Sequence, residues 1–517
     1  MIDTDSSLFP FAKPHSLLDS SAYLFTFRFC QLTDGQTLSC PVRYLAVDYQ
    51  AIVWLEGQYI GSHRGGHVPF DLDLTDAIRA IGQKEGYRIV VRVFDSAHDV
   101  TQPRGKQYWG PEPESTFYTP SSGIWQNVWI EAVPQMRLAN SSHGTFIRSN
   151  DVEKGVIDAR IAVQGRRLGQ KCAIGIEASF YGITVSKSER IDLPRDEDFV
   201  RFDHSMRLNQ DQLRRLPAEL LHDAPLSDAF CWRNGVALWS PEHPALYDLT
   251  IRLYDSGTST LIDEIKTTTG MRSLNWYTGD GTFRLNGKPY FQALFLDQGH
   301  WPESLMTPPC PSALKQDIVL SKQMGFNGCR KHQKVEDPIF YYYADRLEFL
   351  VWGEMASTYN FSLESVSRFD SEWLDSVRLG INHPSIITWT PANESWVGRS
   401  TITAGGSMRS RSRKGNWGNA TASDGADLLK RFENMLTAVC GRGEVCAFVW
   451  TQFSDVEQEM IRDREAGHCR FSLRLLTEPL QNGLYSYDRR PKVPAPEVAK
   501  GVLKAREAYF AKLYRHC

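Results

Sequence analysis

Residues 382–396 read NHPSIITWTPANESW. A β-branched run, Ile386, Ile387 and Thr388, leads through Trp389 and Pro391 into Asn393 and Glu394. That is the pattern of a buried strand delivering an amide and a carboxyl group to its C-terminal tip. Three other apolar runs end in the same way. PYFQALFLDQG leads to Asp297 and His300, FNGCRKH ends on Arg330 and His332, and FLVWGEM ends with Glu354 next to last. A carboxyl group at such a tip can act as an acid catalyst, a chemistry that calls for a second carboxylate facing it. One glutamate at a strand end is ordinarily a solvated loop residue. Four successive strand ends carrying groups of this kind are hard to explain as solvated loops.

The elements that must position these residues follow from a change of period along the chain. Between residues 22 and 135 short strands alternate with turns, as in AYLFTFRF, AIVWLEGQYIG, YRIVVRVFD and GIWQNVWIEAV. In AIVWLEGQYIG, Ile52 and Trp54 mark one face and Gly57 the turn. Residues 136–270 repeat the texture with GVIDARIAVQG, CAIGIEASFYG, ALYDLTIRLYD and STLIDEIKTTTG. The spacing predicts two antiparallel β-sandwiches, a jelly-roll-like one over 1–135 and a smaller immunoglobulin-like one over 136–270. The charged stretch from Arg190 to Asp223 reads as a partly helical surface insertion. From about residue 280, strands near 290–296, 326–330, 348–352, 385–390 and 446–452 alternate with segments of helical spacing. That alternation predicts a parallel α/β region over 271–517, of (β/α)8-barrel type, in which the C-terminal strand ends form the catalytic mouth.

The chain has 517 residues with a net charge of −3. This gives no electrostatic case for nucleic acid or an acidic membrane as a partner. Its ten cysteines are scattered without CxxC or metal-ligand spacing, so mostly free thiols and no metal are expected. The first residues lack the pattern of a secretory signal and no run of eighteen apolar residues occurs, so a cytoplasmic location is the default expectation. Aromatic residues make up 12% of the chain. Their faces suit the C–H faces of sugar rings, although β-rich cores use them as well.

Two sandwiches followed by a barrel, carrying these words in this order, resemble glycoside hydrolase family 2, which includes β-galactosidases and β-glucuronidases. The resemblance rests on residues 46–75, PRGKQYW (103–109) and SSGIWQNVWIEAV in the first region, and on LWSPEHPALYDL in the second. In the third it rests on FRLNGKPYF, DQGHWPE, MGFNGCRKHQKVEDP, NHPSIITWTPANESW and TQFSDVEQE. It implies hydrolysis of β-linked glycosides with retention of configuration, with a carbohydrate substrate and no redox cofactor. By resemblance Glu394 is the general acid/base and Asn393 the donor to the sugar 2-OH. Arg330 would keep the nucleophile ionised, while His332, Asp297 and Trp450 would line the sugar pocket. A catalytically inactive glycan-binding relative is the alternative; a plain sandwich interaction protein leaves the strand-end cluster unexplained.

The resemblance also exposes a missing part. A retaining glycosidase needs a nucleophilic carboxylate about 5–5.5 Å from the acid, and in this family it stands on the seventh barrel strand. After Glu394 the next glutamate is Glu433, within the helical DLLKRFENMLTAV, and the intervening segment is rich in Ser, Arg and Gly. No nucleophile is found. Strands five to seven of the barrel are expected to be absent, with CAFVWTQFSD as strand eight. Residues 460–481 interrupt another family word, and the first sandwich begins late; mis-joined exons are the expected cause of that insertion and of the loss of strands five to seven. The sugar is not readable, with galactose mildly preferred, and neither is the oligomeric state.

Overall fold

The computed structural model describes residues 21–29, 38–82, 84, 86–113, 116–276, 282–393, 424–440, 445–456 and 483–513. In the first region a four-stranded antiparallel sheet runs in the order 21–29, 87–95, 50–55, 58–64. A three-stranded sheet of Val128–Ile130, Pro41–Tyr44 and Phe70–Asp73 stands apart from it. Alternation builds the core between them, since Ala51, Val53 and Leu55 are buried and pack with Val91 and Val93 from the neighbouring strand and with Val42 and Tyr44. Ile52 and Trp54 do share a face, the half-buried outer one. Glu56 and Gly57, both at positive φ, close the hairpin, the turn that matches the right-handed strand twist.

The second region is a sandwich whose core extends from Met136 to Met271. One sheet is built on Val156–Gln164, the other on Cys172–Phe180, Tyr247–Asp255 and Leu261–Thr269. The stretch expected as a partly helical surface insertion is helical at Gln210–Leu213 and Ala218–Asp223, but its first part is corrected here. Phe199–Ser205 is a strand paired with Val156–Gln164. Val200 and Phe202 are buried, as is Met206 just beyond the strand, while Arg201, Asp203 and Ser205 face solvent. The charges are one face of an amphipathic strand, a period-two signal hidden by the flanking acidic and basic residues.

The third region carries the site. Five strands, β1 (Gln292–Asp297), β2 (Gly328–Lys331), β3 (Leu350–Glu354), β4 (Ile386–Thr390) and β5 (Ala447–Trp450), form one parallel sheet in the order β4-β3-β2-β1-β5. Helices α1 (Pro311–Gln323), α2 (Pro338–Arg346), α3 (Leu363–Gly380), α4 (Gly425–Cys440) and α5 (Ala495–Leu513) accompany it. Their starts are written locally. Proline occupies the first turn of α1 and α2, Asp337 caps α2 through its carboxylate, and Ser362 and Ser365 form a reciprocal capping box on α3. Helix α5 was not anticipated, although Val498, Val502, Ala505 and Tyr509 follow helical spacing and are buried.

Side chains of α1, α2, α4 and α5 share one core with Phe295, Cys329, Val351 and Ile386 of the sheet. Phe295, Cys329 and Val351 lie in register, so these four helices cover the same face. Leu296, Arg330 and Trp352, also in register, belong to the opposite face. The second sandwich grips the start of β4, where Arg272 donates to the carbonyls of Pro384 at 2.5 Å and Ile386 at 2.8 Å.

Candidate active site

Arg330 sits at the C-terminal end of β2, one position short of its last residue. Its Nε donates to Glu354 Oε2 at 2.6 Å and its Nη2 to Asn393 Oδ1 at 2.8 Å. One planar guanidinium therefore ties together the ends of β2 and β3 and the segment after β4, the geometry for which arginine is better shaped than lysine. The other oxygen of Glu354 accepts the backbone N–H of Gln333 at 3.0 Å. The Glu354 side chain is 0% exposed, whereas Arg330 keeps 21%. Burial raises the Glu354 pKa and Arg330 opposes that effect. His332 Nδ1 lies 3.5 Å from Glu354 Oε1. Burial, reinforced by the charges of Lys106 and Arg330, holds the His332 pKa well below the usual histidine range, so the ring is neutral and the contact is not an ion pair.

The first sandwich reaches this end of the sheet through PRGKQYW. The N–H groups of Arg104 and Gly105 both donate to Ser357 O at 3.0 Å. Tyr359 returns a bond from its hydroxyl to Gly105 O at 2.5 Å and lies 2.9 Å from Gln333 Oε1. Gly105 has φ +60°, and a Cβ there would run into the Gln333 carbonyl. Only glycine lets the two backbones approach so closely.

The expected site residues divide into two groups. Arg330, His332 and Asn393 meet at one end of the sheet. Asp297 does not join them: its carboxylate pairs with Lys331 on the other face, in a buried set with Glu336 and Lys334. Burial works against the Lys331 ammonium, but Asp297 and Glu336 outweigh it and raise its pKa. Trp450 lies in register with Phe295, and its indole packs edge-on against Phe432 of α4 at 4.8 Å. The expected convergence of Trp450 with Arg330 is corrected accordingly. His300 is buried near Tyr118, at 5.0 Å between rings. Glu394 lies outside the described residues, as do most of the segment that should hold the nucleophile and residues 460–481. Sequence reasoning named Glu354 as a strand-end group without giving it a role, and missed Gln333 and Tyr359. Among the described residues no group of three or more His, Cys, Asp or Glu is placed to hold a metal ion.

Comparison with known proteins shows what the chain is similar to. The sequence profile of Glycosyl hydrolases family 2 matches residues 217–272, within the second sandwich. A β-galactosidase of Thermoanaerobacter pseudethanolicus is 23% identical over 341 residues, covering 66% of this chain and 40% of its own. The fold is similar to that of an FMN-binding β-glucuronidase from Facaelibacterium prausnitzii L2-6, with a TM-score of 0.57, 19% identity, and coverage of 85% of this chain and 58% of that one. In profile, sequence and fold the chain is similar to glycosyl hydrolases family 2. A β-glucuronidase from Bacteroides uniformis gives the same TM-score of 0.57 at 19% identity, over 84% of this chain and 47% of that one. The chain spans 40% or less of the length of the curated relatives it matches. Among its described residues no helix is long and apolar enough to cross a membrane.

Proposed function

We propose that this chain belongs to a lineage of retaining glycosidases that cleave the O-glycosyl bond of β-linked glycosides, and that the chain as written is impaired because it lacks the nucleophile. The observation that carries the reading is the Arg330–Glu354–Asn393 junction at the C-terminal end of a sheet whose first strand, β1, pairs with its last, β5. In a parallel sheet wound on one side, the second face is buried by closing into a barrel. Pairing of first with last strand is the seam of such a closure, which supports β1–β4 and β5 as strands one to four and eight of a (β/α)8 barrel. We place the domain limits at 1–135, 136–270 and 271–517; a large apolar core within each region supports them.

In this reading Asn393, held by Arg330, faces the sugar 2-OH, and Glu394, the next residue, protonates the leaving oxygen. Glu354 is not read as the nucleophile, because its side chain is 0% exposed and held under Arg330 and the Gln333 backbone N–H. Its part is to fix the guanidinium. A galactoside is the mildly preferred substrate, and a non-catalytic glycan-binding relative is the second reading. Hydrolysis of aryl β-galactosides and β-glucuronides by the purified chain tests this. Turnover should be several powers of ten below that of a complete relative, unchanged by Glu394→Gln and not rescued by formate or azide. Turnover within tenfold of a complete relative, abolished by Glu394→Gln, would show that another carboxylate serves as the nucleophile.

A further inference from the structure

The first sandwich is tied to the third region by bonds that run in one chain from α3 to the strand ends. Glu372 of α3, buried, accepts the His67 N–H at 3.0 Å. The His67 ring continues the path, its Nε2 donating to Pro103 O at 3.0 Å. The next two residues, Arg104 and Gly105, donate to Ser357 O, and Gly105 O accepts the Tyr359 hydroxyl. Tyr359 in turn bonds Gln333, whose N–H donates to Glu354. A glycine pair within this seam is flanked by two carboxyl groups. A Cβ on Gly65 would meet the Glu372 side chain at 3.1 Å, and one on Gly66 would meet Asp48 at 2.6 Å. Two acids are therefore packed against neighbouring residues of one backbone.

The other charged groups of the seam are already engaged. Arg368 pairs with Asp99 at 2.7 Å and with Glu364, and Arg64 with Glu364 at 3.0 Å. Arg104, whose charge reaches Asp48, bonds Ser96 O and Gln102. Lys334, which faces His67, bonds Glu336 and two carbonyls. Among the described residues no cation pairs with Glu372. Burial holds His63 and His67 down to about 4 and raises Tyr49, so none of the three changes charge near neutrality. Burial pushes Glu372 up to about 8, with Asp48 and Asp375 adding to the effect. Asp95 has its partners, Arg104 and Ser122, inside the first sandwich, so parting the two domains leaves it covered.

We propose that Glu372 is a latch between the first sandwich and α3, holding the 103–109 loop beside Gln333 while its carboxyl is neutral and letting the seam open when the carboxyl ionises. A neutral acid is tolerated between packed backbones, whereas a carboxylate there lacks a countercharge and is penalised by burial. In the open seam the carboxyl reaches water and ionises in the ordinary range, so closing takes up a proton. Closure is strongest below the ordinary carboxylate range and weakens as pH rises, until about 8, where the closed form ionises as well. Contacts between domains of one chain commonly part and rejoin. The strand-end junction thus keeps its neighbouring loop in acid and loses it progressively towards alkaline pH.

Hydrogen exchange of the full chain, read by mass spectrometry, tests the latch without calling on turnover. Peptides covering 63–68 and 103–109 report it, because the His67, Arg104 and Gly105 amides bond across the seam. The strand 50–55, inside the first sandwich, is the control. After correction for base-catalysed exchange, protection of both peptides should fall about a hundredfold from about pH 5.5 to pH 7.5, tenfold per pH unit for one linked proton. The control strand should keep its protection. Glu372→Gln, a permanently neutral side chain of similar shape, should protect both peptides equally at the two pH values. Flat protection in wild type, or an equally steep fall in Glu372→Gln, would overturn the latch. A parallel loss in strand 50–55 would show global unfolding in place of a parting seam, and would overturn it as well.

Discussion

A single guanidinium organises the strand ends, and its replacement shows what the pair with Glu354 is for. The carboxylate is wholly buried and bonded to Arg330 at 2.6 Å. Removing the arginine leaves a buried charge with one backbone N–H for company, the situation that costs about 3–5 kcal/mol. Arg330→Ala should lower stability by about 3 kcal/mol in urea unfolding. Arg330→Lys should recover only part of that loss, since a point charge cannot bridge Glu354 and Asn393 together. A loss below about 0.5 kcal/mol for Arg330→Ala would mean that Glu354 is protonated and needs no partner.

At the scale of elements, two packing features decide how the strand ends are held. Phe432 of α4 is fully buried against Phe326 and Trp450, and so anchors β5 beside β1. Phe432→Ala should cost about 3–5 kcal/mol by leaving a cavity in the helix-facing core, read as a fall in the unfolding midpoint. The loop from the first sandwich depends instead on Gly105. Gly105→Ala meets both an unfavourable positive φ and the Gln333 carbonyl, so it should destabilise by about 2 kcal/mol or more. Limited proteolysis should then cut the 103–109 loop sooner than in wild type, while Gly82→Ala, where a Cβ meets nothing within 4 Å, should leave it protected.

On the whole-molecule scale, buried carboxyls at the seam between the first sandwich and α3 make stability depend on pH. Glu372 of α3 accepts the His67 N–H at 3.0 Å and its side chain crowds Gly65. Burial pushes its pKa up to about 8, helped by Asp48, with Asp375 adding to the effect. Tyr49 faces the same seam, near Arg368. Asp95 is pushed up to about 7 by burial and by Asp48, against the pull of Arg104. Such groups keep protons in the folded chain that they lose when unfolded. Their contribution is therefore fully favourable below the ordinary carboxylate range and declines as pH rises to about 8. The melting temperature should fall between pH 5 and pH 8.5, and Glu372→Gln, which imitates the protonated acid, should make the fall smaller. An equal fall in the variant would place the titration elsewhere.

What the sequence determined by itself was local. The period change near residue 280, the five apolar strand runs, three of the helix starts and the polar residues at strand tips are all set by neighbouring side chains, and each is legible without the fold. The face to which a residue turns was not legible in the central strand: β1 is buried at all six positions, so apolar alternation, the usual signal of facing, is absent. Asp297 was misplaced for that reason, and Trp450 because β5 is half-buried at every position and shows no alternation either; both belong to the helix-facing side. The strand over Phe199–Ser205 was missed because its outward charges merge with those of its flanks. Only the tertiary structure decided that Glu354 is the carboxylate bonded to Arg330, and that β5 returns to pair with β1. It alone also decided that the 103–109 loop, more than 220 residues earlier in the chain, comes to rest beside Gln333. Contacts of that range depend on the register and closure of the sheet, which no stretch of neighbouring residues encodes.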